Sequence, residues 1–271
     1  DVAEGILNGG RAGEDEPHFQ AVFKARNDLQ AVFAKANLDT INVESVFAAL
    51  EMGRTLRKFP NHDPDKMDAL LHSMKMVIAK TLEARIGFPL KGNVLLAPDP
   101  YPKFVKMIKA LREKAVPKQS VAILTFNYDL ACDLALLNEG MEAEYALGTP
   151  TLDGNLPLLK LHGSLNWVRQ KDENAGVVAW GLKKFLQDHP QGKELIGNRI
   201  AALRITDKLP DYVHNGYYET EDSPYIVPPT WNKGEYHREV TRVWSRAATE
   251  LADAENLIVV GYSLPESDAF F

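Results

Sequence analysis

The chain has 271 residues, 45% of them hydrophobic and 25% charged. That length can bury a sizeable core, either as one large α/β domain or as a core plus a small insert. A net charge of −6 gives no electrostatic footprint for nucleic acid. No apolar run approaches the ~18 residues a membrane span needs, and nothing resembles a signal peptide. The single cysteine, Cys132, excludes an internal disulfide framework and any multi-cysteine zinc site, and it reads as an inert core residue. A reducing cytoplasm fits these features.

Residues 1–16 are polar and read as loop. Pro17 suits the first turn of a helix, and Phe19, Val22, Phe23, Leu29, Val32 and Phe33 mark its apolar stripe. Asn42 reads as the N-cap of a helix carrying Val43, Val46, Phe47 and Leu50. Asp63 and Pro64 start a third helix whose face is Met67, Leu70, Leu71, Met74, Val77 and Ile78, with Gly87 as its C-cap. Residues 88–102 form a proline-rich loop, and a helix follows over about 103–114. The pattern then alternates: strand 120–126, helix 129–138, strand 156–162, strand 224–228, helix 235–252, strand 256–261, and a further helix near Glu266. Apolar strands separated by helices predict an α/β fold, a Rossmann-like parallel sheet covered by helices on both faces. Residues 1–119 make a mainly helical part, 120–167 and 224–271 the sheet core, and 168–223, with weak periodicity, a small inserted subdomain.

Three of these strands end in polar groups. Thr125, Phe126, Asn127, Tyr128 and Asp129 close the first. Asn127 or Asp129 there is either a helix cap or, respectively, an amide and a carboxylate for a nucleotide. His162 and Gly163 close the second. The imidazole either bonds a backbone carbonyl or faces a ligand, and glycine permits close backbone approach. Gly261, Tyr262 and Ser263 close the third, as a plain strand-to-helix turn or as a phosphate or ribose site. Ligands of open α/β sheets bind at this carboxyl edge. Two other motifs are set aside. His62 and Asp63 lack a supporting histidine pair, and the glycines at 9, 10 and 13 have no strand before them. The chain starts at Asp1 and stops a few residues into an apparent helix, which reads as a fragment of a longer protein.

Four motifs in order, T-x-N-Y-D at 125–129, K-L-H-G-S at 160–164, I-V-P-P at 226–229 and V-G-Y-S-L-P-E-S-D at 260–268, resemble the sirtuin-like (SIR2) family. The closer likeness is to its bacterial subgroup from antiphage defence systems. The matched region is residues 120–271. The resemblance implies NAD+ bound as substrate at the carboxyl edge, with Asn127 and His162 as catalytic positions and His162 as general base. It implies Asp129 beside the nicotinamide carboxamide, and contacts to NAD+ from Thr125 and Gly163. Gly261, Tyr262 and Ser263 match the family's G-T-S turn under ribose and phosphate, with Tyr in place of Thr. The family's G-A-G-x-S loop is missing and is expected ahead of Asp1. No cysteine lies in 168–223, where protein-deacylating relatives carry a four-cysteine zinc module.

The implied activity is NAD+ glycohydrolysis without a metal, depleting NAD+ in abortive infection. The implied partners are copies of the chain or other defence-system subunits, with no nucleic acid and no membrane. Deacylation or ADP-ribosyl transfer is one alternative, and a non-catalytic NAD+ or ADP-ribose module is another.

Overall fold

The computed structural model describes residues 17–32, 42–91, 94–115, 121–148, 155–171, 176–183, 220–228 and 240–261. These fall into two compact units, one within 1–84, 227–235 and 260–271, the other within 85–226 and 236–259.

The first unit is built on three helices, α1 (Pro17–Val32), α2 (Val43–Thr55) and α3 (Met67–Arg85). Helix α1 buries Phe19, Val22, Ala25 and Leu29, one face at helical spacing. Val32, expected on that face, is in the last turn and exposed. Asn42 caps α2 as its sequence implies, accepting a hydrogen bond from Glu44 N at 2.8 Å. Asp63 does the same for a 3-10 turn, Pro64–Lys66, that runs into α3. All six residues of the expected α3 face are buried. Gly87 is not a left-handed C-cap, because its φ is not positive.

The second unit carries the sheets. Within the proline-rich stretch, β1 (Leu90–Lys91) and β2 (Val94–Leu95) pair antiparallel. Helix α4 (Tyr101–Lys114) starts two residues before the expected boundary, since Pro100 and Pro102 fit a helix entrance where no N–H is needed. Next come β3 (Ile123–Thr125), α5 (Ala131–Asn138), β4 (Ala143–Glu144) and β5 (Leu156–Lys160). The order is β3-β5-β4, with both pairings parallel. All five residues of β5 are buried, as suits the middle strand of a parallel sheet. The chain is therefore of mixed α/β class, with a three-stranded parallel sheet and helices. Cys132 is buried on α5, in line with its expected core role. Among the described residues no helix is long and apolar enough to cross a membrane.

Three sheet features depart from expectation. The chain turns at Leu161 and His162 and continues as β6 (Gly163–Gln170), which pairs antiparallel with β7 (Val177–Ala179) and β8 (Thr220–Ile226). The strand expected at 224–228 thus lies in this second sheet, beside β6, and not in the parallel one. Pro224 within it suits an edge strand, which β8 is. The strand expected at 256–261 does not form. Residues 254–260 have no regular structure, and Leu257, Ile258, Val259 and Val260 are 63–70% exposed. Ile258, Val259 and Val260 supply β propensity, but a strand needs a partner edge, and this run pairs with none of the described strands. The preceding helix, expected over 235–252, is α6 (Thr241–Asp253); residues 229–239 and the helix expected near Glu266 lie outside the described residues.

Candidate site at the tips of β3 and β5

Parallel pairing sets Thr125 opposite Lys160, so the ends of β3 and β5 lie side by side. The exit from β3 is held locally. Thr125 Oγ1 accepts from Asn127 N at 3.1 Å, and Thr125 O accepts from Leu161 N at 2.9 Å. Asp129 Oδ1 accepts from Ala131 N at 2.9 Å, an Asx turn that leads into α5, whose N-cap residue is Leu130. Asn127 does something else. Its carboxamide is in an exposed residue and donates to the Tyr101 hydroxyl at 3.4 Å.

His162 sits in the turn between β5 and β6 and is only 7% exposed. Its ring lies 4.7 Å from that of Phe126 and 6.3 Å from that of Tyr128, nearly parallel to the latter at 30°. These two rings flank Asn127 in the chain. The histidine is therefore joined to the Asn127 segment through its neighbours. Helix α6 closes another side, where Trp244 Nε1 donates to Leu161 O at 3.1 Å.

Gly163 has φ +85°, and a Cβ there would overlap the carbonyl oxygen of Tyr225 on β8. The close approach that glycine permits is made here by the chain's own backbone. Gly261 also has positive φ, +66°, and is exposed, while Tyr262 and Ser263 lie outside the described residues.

Beneath the two tips lies a buried polar network. Lys160, 1% exposed, donates from Nζ to Asp129 O at 2.6 Å, Ser164 Oγ at 2.6 Å and Asp133 Oδ2 at 3.0 Å. The Tyr145 hydroxyl donates to the other oxygen of Asp133 at 2.5 Å. Ser164 Oγ donates to Tyr128 O at 3.3 Å, and Leu165 N donates to the same carbonyl at 3.0 Å. Every charge in this cluster has a close counter-charge or dipole, as burial demands.

Burial also moves the titrating groups. It pushes the Asp129 carboxyl above its usual range, against the pull of the Lys160 ammonium. Burial, and then the Asp129 charge, pushes the Tyr101 phenol up to about 12. The Cys132 thiol is pushed up to about 12 by burial and by Asp133. Burial thus shifts both titrating groups at this edge, Asp129 and Tyr101, toward their protonated forms.

Sequence reasoning did not find Tyr101, Asp133, Lys160 or Trp244 as parts of this site. Lys160 carries a signal of its own, a lone cation in an apolar strand that must find a partner. Tyr101 carries none, being one aromatic at the start of a helix. Among the described residues no group of three or more His, Cys, Asp or Glu side chains is arranged to hold a metal ion. No protein-family model matches the chain, and no curated protein matches it.

Proposed function

We propose that this chain is an NAD+ glycohydrolase, cleaving NAD+ to nicotinamide and ADP-ribose at the tips of β3 and β5. One observation carries the reading. The parallel β3–β5 pairing brings His162 against the rings flanking Asn127, so the two residues singled out by the resemblance share one sheet edge. On this reading the parallel strands are part of a Rossmann-like sheet, and 168–223 is an inserted subdomain.

The chemistry follows from the leaving group. The bond that breaks joins ribose C1 to the cationic ring nitrogen of nicotinamide. Its electron pair stays on that nitrogen, so nicotinamide leaves neutral and the positive charge passes to the ribose. The protein's task is to stabilise an oxocarbenium-like transition state and to place one water. Asn127 presents its carboxamide oxygen to that water or to the ribose hydroxyls, since its amide nitrogen is engaged with Tyr101. Asp129 holds the nicotinamide carboxamide. His162 takes the proton that water releases as its oxygen bonds to C1. Deacylation is disfavoured by the absence of cysteine from 168–223. The proposed setting is a cytoplasmic antiphage defence system in which the chain works with copies of itself or with other subunits.

The test is chromatography of NAD+ incubated with the native protein. Nicotinamide and ADP-ribose in equal amounts are expected, with both lost in His162→Ala and Asn127→Ala variants that keep their fold. An unchanged rate in either variant rejects that residue's role, and an intact NAD+ pool with the native protein rejects the activity. A second reading, a module that binds NAD+ or ADP-ribose without turnover, is favoured by the low exposure of His162. Calorimetric binding of ADP-ribose with no NAD+ loss would select it.

A further inference from the structure

We infer that Lys160 is a positioning residue for the candidate site, holding the loop that leaves β3 so that Asn127 and His162 keep their mutual placement. The activity part of the argument rests on the proposed function, whereas the geometric part stands alone.

An ammonium has three donors, and Lys160 has three acceptors, one on the backbone of the loop, one on β6 and one on α5. It and Asp133 are an ion pair at 3.0 Å, with side chains 1% and 2% exposed. Burying such a pair costs stability that an apolar side chain of like volume would not. A methionine would fill the middle strand at less cost. What the charge adds in return is three hydrogen bonds to three separate elements.

One of them holds the Asp129 carbonyl, and another reaches Ser164, which in turn holds the Tyr128 carbonyl. Asp129 O is fixed by Lys160, and Tyr128 O by Ser164 and Leu165. The three donors come from residues on either side of His162. The loop thus clasps the turn that carries the histidine, and Phe126 and Tyr128 lie against its ring as a result. Releasing Asp129 O removes one of the three holds on the segment at Tyr128, the residue whose ring lies on His162 and whose chain neighbour is Asn127. Asp133, also bonded to Tyr145, fixes the ammonium from the far side.

The test pairs Lys160→Met with Asp133→Asn in the native full-length protein, so that the Asp133 charge is not left without its partner. Asparagine still accepts from Tyr145. The first readout is the carbon–proton NMR signal of the His162 ring, which feels the ring currents of Phe126 and Tyr128. It is expected to move while those of His18 and His72 stay. The second readout is NAD+ cleavage, where kcat is expected to fall about 100-fold, the scale of a misplaced reacting group, with KM within about twofold. A lysine serving stability alone would lower the melting temperature and leave both unchanged, which overturns the inference. If the native protein cleaves no NAD+, the proposed activity falls and the His162 signal decides the positioning role by itself. If the double variant does not fold, Ser164→Ala keeps the ion pair and removes one bond to Tyr128. A shifted His162 signal there supports the inference, and an unmoved one overturns it.

Discussion

Asn127 donates its side-chain amide to the hydroxyl of Tyr101 across 3.4 Å, a link between the exit of β3 and the first residue of α4. The bond orients the carboxamide at the strand tip. Tyr101→Phe removes the acceptor and lets the amide rotate. On the proposed function, kcat falls by about 2- to 10-fold, the equivalent of one ordinary hydrogen bond of about 0.5–1.5 kcal/mol, with little change in melting temperature. Steady-state NAD+ cleavage by the variant checks this, and an unaltered kcat removes Tyr101 from the site.

The raised titration of the same phenol has a consequence for stability. Its ordinary value is 10.0 and the folded value is about 12, so the unfolded chain gives up its proton first. Above about pH 10 the unfolded state therefore binds fewer protons than the native one, and stability falls as pH rises. The contribution is complete below pH 10 and is lost progressively up to about 12. Urea midpoints across that range are expected to decline less steeply in Tyr101→Phe than in the native protein.

Asp129 presents the opposite sign from an ordinary ion-paired carboxylate. Burial raises its folded pKa above the 3.8 of the free side chain, so the native state holds its proton longer as pH rises. This group favours folding at low pH and loses that advantage as pH climbs through and above the usual carboxylate range. Asp129→Asn retains an oxygen to accept from Ala131 N and removes the buried charge. The variant is expected to be as stable as the native protein at neutral pH, or more so, while NAD+ cleavage drops. Thermal melts run beside the cleavage assay separate the two effects, and a marked loss of stability would contradict the assignment.

Cys132 is 8% exposed, and its thiol is pushed from 9.0 up to about 12. Thiolate is the reactive form, so alkylation at pH 8 is expected to be negligible in the folded protein and complete on unfolding. Mass spectrometry after iodoacetamide treatment, with and without urea, checks this. Rapid native labelling would place the thiol outside the core.

Gly163→Ala meets two obstacles at once, a φ of +85° and the backbone of Tyr225 where a Cβ would stand. The expected loss is about 2–4 kcal/mol, from strain and from parting β6 from β8. Chemical denaturation measures it. A loss within about 0.5 kcal/mol, the size of an ordinary surface change, would show that the turn relaxes freely.

What was legible in the sequence is what local chemistry decides. The caps at Asn42 and Asp63, the apolar face of α3 and the burial of Cys132 follow from residue type and spacing within a few positions. The apolar run ending at Lys160 marks a strand for the same reason. Partner choice is different. Residues 224–228 and 256–261 both read as strands, yet Pro224 to Ile226 belong to β8, paired with β6, while Leu257 to Val260 lie exposed. Nothing within either run encodes the edge it meets.

The candidate site divides along the same line. Thr125, Asn127, Asp129 and His162 are visible as polar residues at the ends of apolar runs. The groups that orient them, Tyr101 for Asn127 and Lys160 for the loop at Asp129, stand 26 and 31 residues from their partners in the chain. Sequence by itself determined the short-range elements and the polar strand ends, because periodicity and capping act over one or two turns. Only tertiary structure decided the β3-β5-β4 order, the antiparallel sheet on β6 and the buried ion pair, because those depend on which distant surfaces exclude water together.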